Sequence, residues 1–421
     1  MKSGGNNKIY DEKEDVAVYK DMYGFIRDES YIKKEQNERQ QKFYFTSKRD
    51  QSWVKFLQKV PINKILKNRK DKQLKKLVYQ GIPVAFRGPI WSALSGATKM
   101  KENSKKTYDM YYKAATADED VNDDDDDDNA NNNKKTIEKH EQSKMDIEKD
   151  IFRTFPDHSM FDMNGEGPNQ LRRILLAYSR SNSKIGYCQG LNYLTATFLL
   201  FMSEEDSFWL LNSMCESILP LNYYTPKLLD LHLDVRVLLR LVQAKLPKVQ
   251  MILEENRIDL RLITMEWFLC SFLNTLPMET TARIWDVMLY EGSSIIIFRI
   301  ALGIFKILEP QLEKIYISND KNEDSHDNNN NVLNVSQYIK NSGKMQFNVE
   351  ELFKIALNGK CKVTEKEIEK LRKTCRVELQ KEIDDIDNRR KKYEEYIKKK
   401  SSINEENEKK KKKKNEEDGN K

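Results

Sequence analysis

From Gly190 to about residue 310 the chain carries apolar residues at spacings of three and four, and this pattern restricts it to a helical core. Leu194, Phe198 and Phe201 fall on one helical face; Phe208, Leu211, Cys215 and Ile218 fall on the next. Pro220 and Pro226 bracket a turn. Leu228, Leu231, Val235, Leu238, Leu239, Val242 and Leu246 then predict a long helix ending near Pro247. Ile263 to Leu276 and Thr280 to Leu289 predict two more, the second stopped at Gly292, with Ser293 or Ser294 placed to cap the next. Upstream, Leu171, Ile174, Leu175 and Tyr178 repeat the i, i+3, i+4, i+7 stripe. No alternation with a period of two interrupts this block, so the expected fold class is all-α.

Composition sets the limits of that core. The hydrophobic fraction is 38% and the charged fraction 33%, but apolar residues concentrate between about 80 and 310 while the flanks are polar. The central block is long enough to bury a substantial interior. A net charge of +6, from 73 basic and 67 acidic residues, does not point to nucleic acid. Five cysteines form no CxxC and read as structural thiols of a reducing compartment; four scattered histidines give no zinc spacing. Neither GxxxxGK[ST] nor GxGxxG occurs, so no nucleotide site of its own is expected. The first twenty residues are polar, unlike a signal peptide. The most apolar run, Ile295 to Leu308, is broken by Arg299 and Lys306 and is too short to span a bilayer.

The flanks divide by composition. Residues 1–20 lack apolar periodicity and are expected to be disordered. Residues 21–80 are expected to hold docking helices, around Trp53, Phe56 and Leu57 and around Leu74, Leu77 and Val78. Gly81 is placed to cap the second, and Pro83 prevents its continuation. Residues 117–135, with Asp123 to Asp128 and Asn131 to Asn133, read as a low-complexity insertion in a surface loop, which costs little stability. They lack the central glycine and terminal glutamate of a calcium loop. Residues 311–346 read as a polar linker and 347–400 as a helical arm. The arm's seam (Ile368, Leu371, Cys375, Leu379, Ile383, Ile386, Tyr393, Ile397) is interrupted at Arg390, and a coiled coil or packing on the core both fit. Residues 401–421 read as a charged disordered tail. Its Lys409 to Lys414 run is compatible with a solvated tail, a nuclear signal or an anionic-lipid contact.

The polar residues that stand out lie between Ile147 and Leu194. One run reads Ile147-x-x-Asp150-x-x-Arg153-Thr154-x-Pro156; the other reads Tyr187-x-Gln189-Gly190-x-Asn192, beyond the amphipathic helix. A guanidinium is permanently charged and can fork across two phosphate oxygens. A carboxamide offers a donor and an acceptor on one plane. On spacing alone, a structural arginine paired to an acidic neighbour fits Arg153 equally well.

With Gly81-Ile82-Pro83 to Trp91 upstream and Arg283-Ile284-Trp285-Asp286 to Gly292 downstream, these runs resemble the signatures of the TBC domain, the family of GTPase-activating proteins for Rab-type small GTPases. Asp21-Met-Tyr23-Gly24-Phe25 is similar to a short element that often precedes such domains. The resemblance covers 81–310 and implies a multi-helix TBC domain there. It implies that Arg153 is an arginine finger and Gln189 a glutamine finger, both offered in trans to a Rab-family GTPase in its GTP-bound form. Asp150, one helical turn from Arg153, would orient the guanidinium. Thr154 would shape the turn, Tyr187 and Asn192 would brace the loop and helix start, and Cys188 would be buried. Gly190 would let the partner backbone approach. Arg87 would either touch the partner or hold a turn at Gly88 against Trp91. GTP and Mg²⁺ would arrive on the partner, with no cofactor or metal of the chain's own. The expected setting is the cytoplasm, with indirect or peripheral contact with endomembranes and a role in vesicle traffic. A non-catalytic GTPase-binding or scaffold protein of the same fold is the alternative, and intact Arg153 and Gln189 argue against it. A helical adaptor acting through the arm is a third reading.

Overall fold

A computed structural model describes residues 8–11, 14–117, 130–320 and 328–418. Among them the chain is overwhelmingly helical, and the expected all-α class holds. It divides into two compact units, Met1–Glu365 and Lys366–Lys421. Of the first twenty residues, expected to be disordered, those described (8–11 and 14–20) are strands instead, and the others lie outside the described residues. Strands β1 (Lys8–Asp11), β2 (Glu14–Lys20) and β3 (Ile26–Arg27) form a small antiparallel sheet in the order β1-β2-β3.

Helix α1 (Glu29–Lys59) starts where the Asp28 carboxylate accepts the Tyr31 amide at 2.8 Å. Helix α2 (Lys72–Gln80) starts where Asp71 accepts the amides of Gln73 and Leu74. It buries Leu74, Leu77 and Val78 and ends at Gly81, whose φ of +106° favours glycine. Helix α3 (Val84–Ser95) follows Pro83. Gly88 therefore lies inside a helix rather than in a turn, and a Cβ there would sit 2.3 Å from the Phe201 carbonyl oxygen. Helices α4 (Ala97–Asn103) and α5 (Tyr108–Thr116) follow. Most of the insertion expected at 117–135 lies outside the described residues, and helix α6 (Ala130–Ile151) already begins at Ala130.

The central helices are α7 (Gly167–Ser181), α8 (Leu191–Leu199), α9 (Glu204–Ser213), α10 (Leu229–Lys245), α11 (Pro247–Glu255), α12 (Leu260–Leu269), α13 (Met278–Glu291) and α14 (Ile295–Asp320). Leu171, Ile174, Leu175 and Tyr178 of α7 are completely buried, as their spacing predicts. The helix expected to reach Leu276 stops at Leu269, because Ser271 and Phe272 take positive φ values of 46° and 70°. Gly292, at φ +66°, closes α13, and Ser293 accepts the Ile295 amide at the start of α14.

The polar linker expected at 311–346 is largely helical where described. Helix α14 runs on through Pro310 to Asp320, and α15 (Asn328–Lys344) buries Val335 and Ile339. Val335 and Ile339 share one face of α15 at i, i+4, and the helix packs on α14. Helix α16 (Val349–Ala356) packs on α14 and buries Val349, Leu352 and Phe353. The second unit is essentially α17 (Glu365–Asp418), which carries through residues expected to be a disordered tail. Along it Val377, Ile386, Tyr393 and Tyr396 are exposed.

The sequence signatures at 81–91 and 283–292 meet in a buried polar lock. Arg87, fully buried, places Nη1 2.7 Å from Glu279 Oε2 and Nη2 2.9 Å from Oε1. Its Nε lies 3.4 Å from Asp286 Oδ1. Asp286 accepts the Trp91 indole N–H at 2.8 Å and the Ile82 amide at 2.9 Å. Arg283 donates to the Val78 and Tyr79 carbonyls at the end of α2, at 3.1 and 2.7 Å. Burial alone would raise the Glu279 carboxyl, but the Arg87 guanidinium, helped by the Tyr23 hydroxyl, holds it at about 2. Burial pushes the Asp286 carboxyl up against the pull of Arg87 and Arg283.

Candidate functional site

The loop that carries Arg153 begins where α6 runs out of hydrogen-bond partners. The Thr154 amide donates to the Ile151 carbonyl at 3.2 Å, and Thr154 Oγ1 donates to the Asp150 carbonyl at 2.6 Å. Two of the helix's terminal acceptors are thus occupied. Phe155 follows at φ +51°, a left-handed conformation that costs a bulky residue about 1–2 kcal/mol. Its ring is held against Phe25, Phe161 and Tyr193, with centroids 5.0, 5.8 and 5.6 Å away, and these contacts over-determine the strained backbone. Pro156 then bars any helical continuation. Between these fixed points the Arg153 side chain is 50% exposed, while the Asp150 carboxylate beneath it is 5% exposed. Arg153 Nη2 lies 2.5 Å from Asp150 Oδ1.

The loop that carries Gln189 leaves α7 through Asn182, whose side chain accepts the Ile185 amide and whose carbonyl accepts the Gly186 amide. Lys139 of α6 clasps this loop, its ammonium donating to the Ser183 and Lys184 carbonyls at 2.5 and 2.6 Å. Gly190 opens α8 at φ +106°, and a Cβ on it would meet Leu269 Cγ at 3.1 Å. A need for glycine thus arises within this chain, where Gly190 is buried. Gln189, immediately before it, is exposed.

Three side chains stitch the loops together. Tyr187 donates its hydroxyl to Asp150 Oδ2 at 2.5 Å, so this one carboxylate holds both the tyrosine and Arg153. Burial, reinforced by that hydrogen bond, raises the Tyr187 phenol and keeps it a donor. Asn192, fully buried, donates to Thr154 Oγ1 at 2.8 Å and accepts the Gly190 amide at 2.9 Å. Tyr193 Oη reaches the Arg153 carbonyl at 3.5 Å. The structure therefore brings Asp150, Thr154, Tyr187, Gly190 and Asn192 together between the loops that bear the exposed Arg153 and Gln189. Cys188 is half-buried rather than buried, and burial, with the Asp150 charge nearby, pushes its thiol up to about 11. Replacing Asn192 by alanine would leave a buried amide and a buried hydroxyl without their partner. Chemical denaturation should show a loss of about 1–3 kcal/mol; an unchanged midpoint would exclude the bridge as a stabilising contact.

Arg87 stands apart from this cluster. It is sealed in the lock with Glu279, Asp286 and Tyr23 and has no exposed surface to offer a partner. Sequence reasoning overlooked Tyr193, Lys139 and the left-handed Phe155. Among the described residues, no group of three histidine, cysteine or carboxylate side chains is placed to hold a metal ion. Nor is any described helix long and apolar enough to cross a membrane.

An all-α domain displaying an arginine and a glutamine on two mutually braced loops is the class that fold and site define. The Rab-GTPase-TBC domain profile matches residues 85–313, more than half of the chain, and the chain belongs to that family. It is 34% identical over 264 residues to the human small G protein signaling modulator 3, covering 62% of this chain and 31% of that protein. It is 35% identical over 246 residues to human TBC1 domain family member 2B, covering 58% of this chain and 23% of that protein. The chain thus spans at most about a third of the length of these curated relatives. The crystal structure of the Chlamydomonas flagellar RabGAP TBC domain superposes with a TM-score of 0.60 at 27% identity, over 80% of this chain and 98% of that one.

Proposed function

We propose that this chain accelerates GTP hydrolysis on a Rab-type small GTPase by lending it Arg153 and Gln189. Hydrolysis builds negative charge on the phosphate oxygens, and a guanidinium supplied from outside neutralises it. Gln189 would orient the attacking water through its amide. GTP and Mg²⁺ would arrive with the partner in its GTP-bound form. The action would switch off a membrane-traffic signal, with this chain in the cytoplasm or peripheral on endomembranes.

The observation that carries the reading is the half-exposed Arg153 guanidinium, already paired to the nearly buried Asp150 on a loop joined to the one bearing Gln189. An arginine side chain has about 2 kcal/mol of rotamer entropy to lose. Pairing in the free protein meets part of that cost before the partner docks.

The test is single-turnover GTP hydrolysis by a panel of purified Rab GTPases. Wild type should stimulate one or a few of them. Gln189→Ala should lose about 10²–10³ of that stimulation, the worth of one well-placed transition-state hydrogen bond. A GTPase that binds in its GTP form yet hydrolyses no faster would replace this reading with a non-catalytic binding module.

A further inference from the structure

Upstream of the family-matched region, residues 21–27 run directly over the far side of the Arg153 loop. The segment is rigid by its own bonding. The buried Asp21 carboxylate accepts the amides of Tyr23 and Phe25 at 2.9 and 3.0 Å and the Arg27 Nε at 3.1 Å. Gly24 turns at φ +96°, where a Cβ would collide with His158 Nε2 at 2.8 Å.

This strap is joined to residues 155–158 by every means available to a short segment. The Ile26 amide donates to the Asp157 carbonyl at 2.8 Å, and Arg27 Nη1 lies 3.2 Å from Asp157 Oδ2. His158 Nδ1 accepts the Met160 amide, which leaves its Nε2–H to donate to the Tyr23 carbonyl at 2.8 Å. The Phe25 ring, 2% exposed, meets Phe155 and His158 edge-on at 5.0 and 4.7 Å. The other end is anchored in the core, where the Tyr23 hydroxyl bonds to Glu279 and accepts from Arg87 at 2.6 Å.

We propose that residues 21–27 are a positioning element for Arg153, with Phe25 acting through the left-handed Phe155 two residues beyond the finger. The inference rests on the activator reading above and deepens it. Phe155 takes a conformation its side chain disfavours, so its ring contacts decide whether the loop keeps one geometry. Without Phe25 the loop divides its time between arrangements, and only a fraction presents the guanidinium at the phosphate. Rate falls with that fraction, while docking of the GTPase elsewhere is unaffected.

The experiment compares full-length wild type, Phe25→Ala, Phe25→Leu and Arg27→Gln. Hydrogen exchange is read across residues 150–161 together with single-turnover kcat and KM. Phe25→Ala should exchange at least about tenfold faster over 152–158, with α13 unchanged. Its kcat should fall about 10- to 100-fold, the scale of a misplaced catalytic group, with KM within about twofold. Phe25→Leu, which refills the space, should recover most of both. Arg27→Gln, at a partly exposed site, carries the test should Phe25→Ala fail to fold, and should shift both readouts in the same direction. Unchanged exchange over 152–158 overturns the proposal, as does full kcat with a loosened loop. A wild type that stimulates no GTPase would defeat the activator reading, and exchange alone would then decide whether the strap holds the loop.

Discussion

Replacing Arg153 with alanine should lower the hydrolysis rate on the cognate GTPase by about 10³–10⁵, the worth of an arginine finger supplied in trans. That is roughly 4–7 kcal/mol of barrier at about 1.4 per decade. The fold should hardly register the change. The side chain is half exposed, and its removal costs one ion pair whose carboxylate keeps the Tyr187 hydroxyl, so stability should move by no more than about 1 kcal/mol. Arg153→Lys should not restore the rate, because an ammonium cannot span two oxygens as a planar fork does. Single-turnover hydrolysis paired with chemical denaturation checks both halves. A variant that unfolds easily, or one that retains the wild-type rate, would remove Arg153 from the finger's place.

Arg87→Ala should behave in the opposite way. Arg87 pairs with Glu279 and shares Asp286 with Arg283, and the Asp286 side chain is completely buried. Deleting one partner of such a cluster leaves charge without compensation and costs about 3–5 kcal/mol. Lysine should recover little of this, since Glu279 is gripped by both terminal nitrogens of the guanidinium. Denaturant midpoints should fall accordingly. A loss below about 1 kcal/mol would mean the cluster relaxes or protonates around the gap.

These two arginines mark how far the sequence could be read. Both sit in recognisable runs, and neither run states which guanidinium faces solvent. For Arg153 the i, i+3 spacing to Asp150 already implied the ion pair. For Arg87 the acidic partners lie nearly two hundred positions away, at Glu279 and Asp286, and no local pattern points to them. The helices of the core were legible because burial on one face imposes a period, and α7 shows that most plainly. The helix α15 was not, since asparagines masked a short buried stripe at Val335, Ile339 and Gly343. The break after Leu269 escaped for a different reason. Ser271 and Phe272 adopt positive φ without a glycine to announce it.

Sequence by itself determined the helical class, through the spacing of apolar residues, and pointed to the family and its two candidate fingers, through the resemblance of its motifs. Tertiary structure alone decided that Asn192 and Tyr187 join the two loops, that Gly190 answers to Leu269, and that Phe25 lies on Phe155. Each of those facts depends on groups far apart in the chain meeting at a few ångströms. Hydrogen bonds and ring contacts act only at that range, so the pairing exists only once the chain has folded.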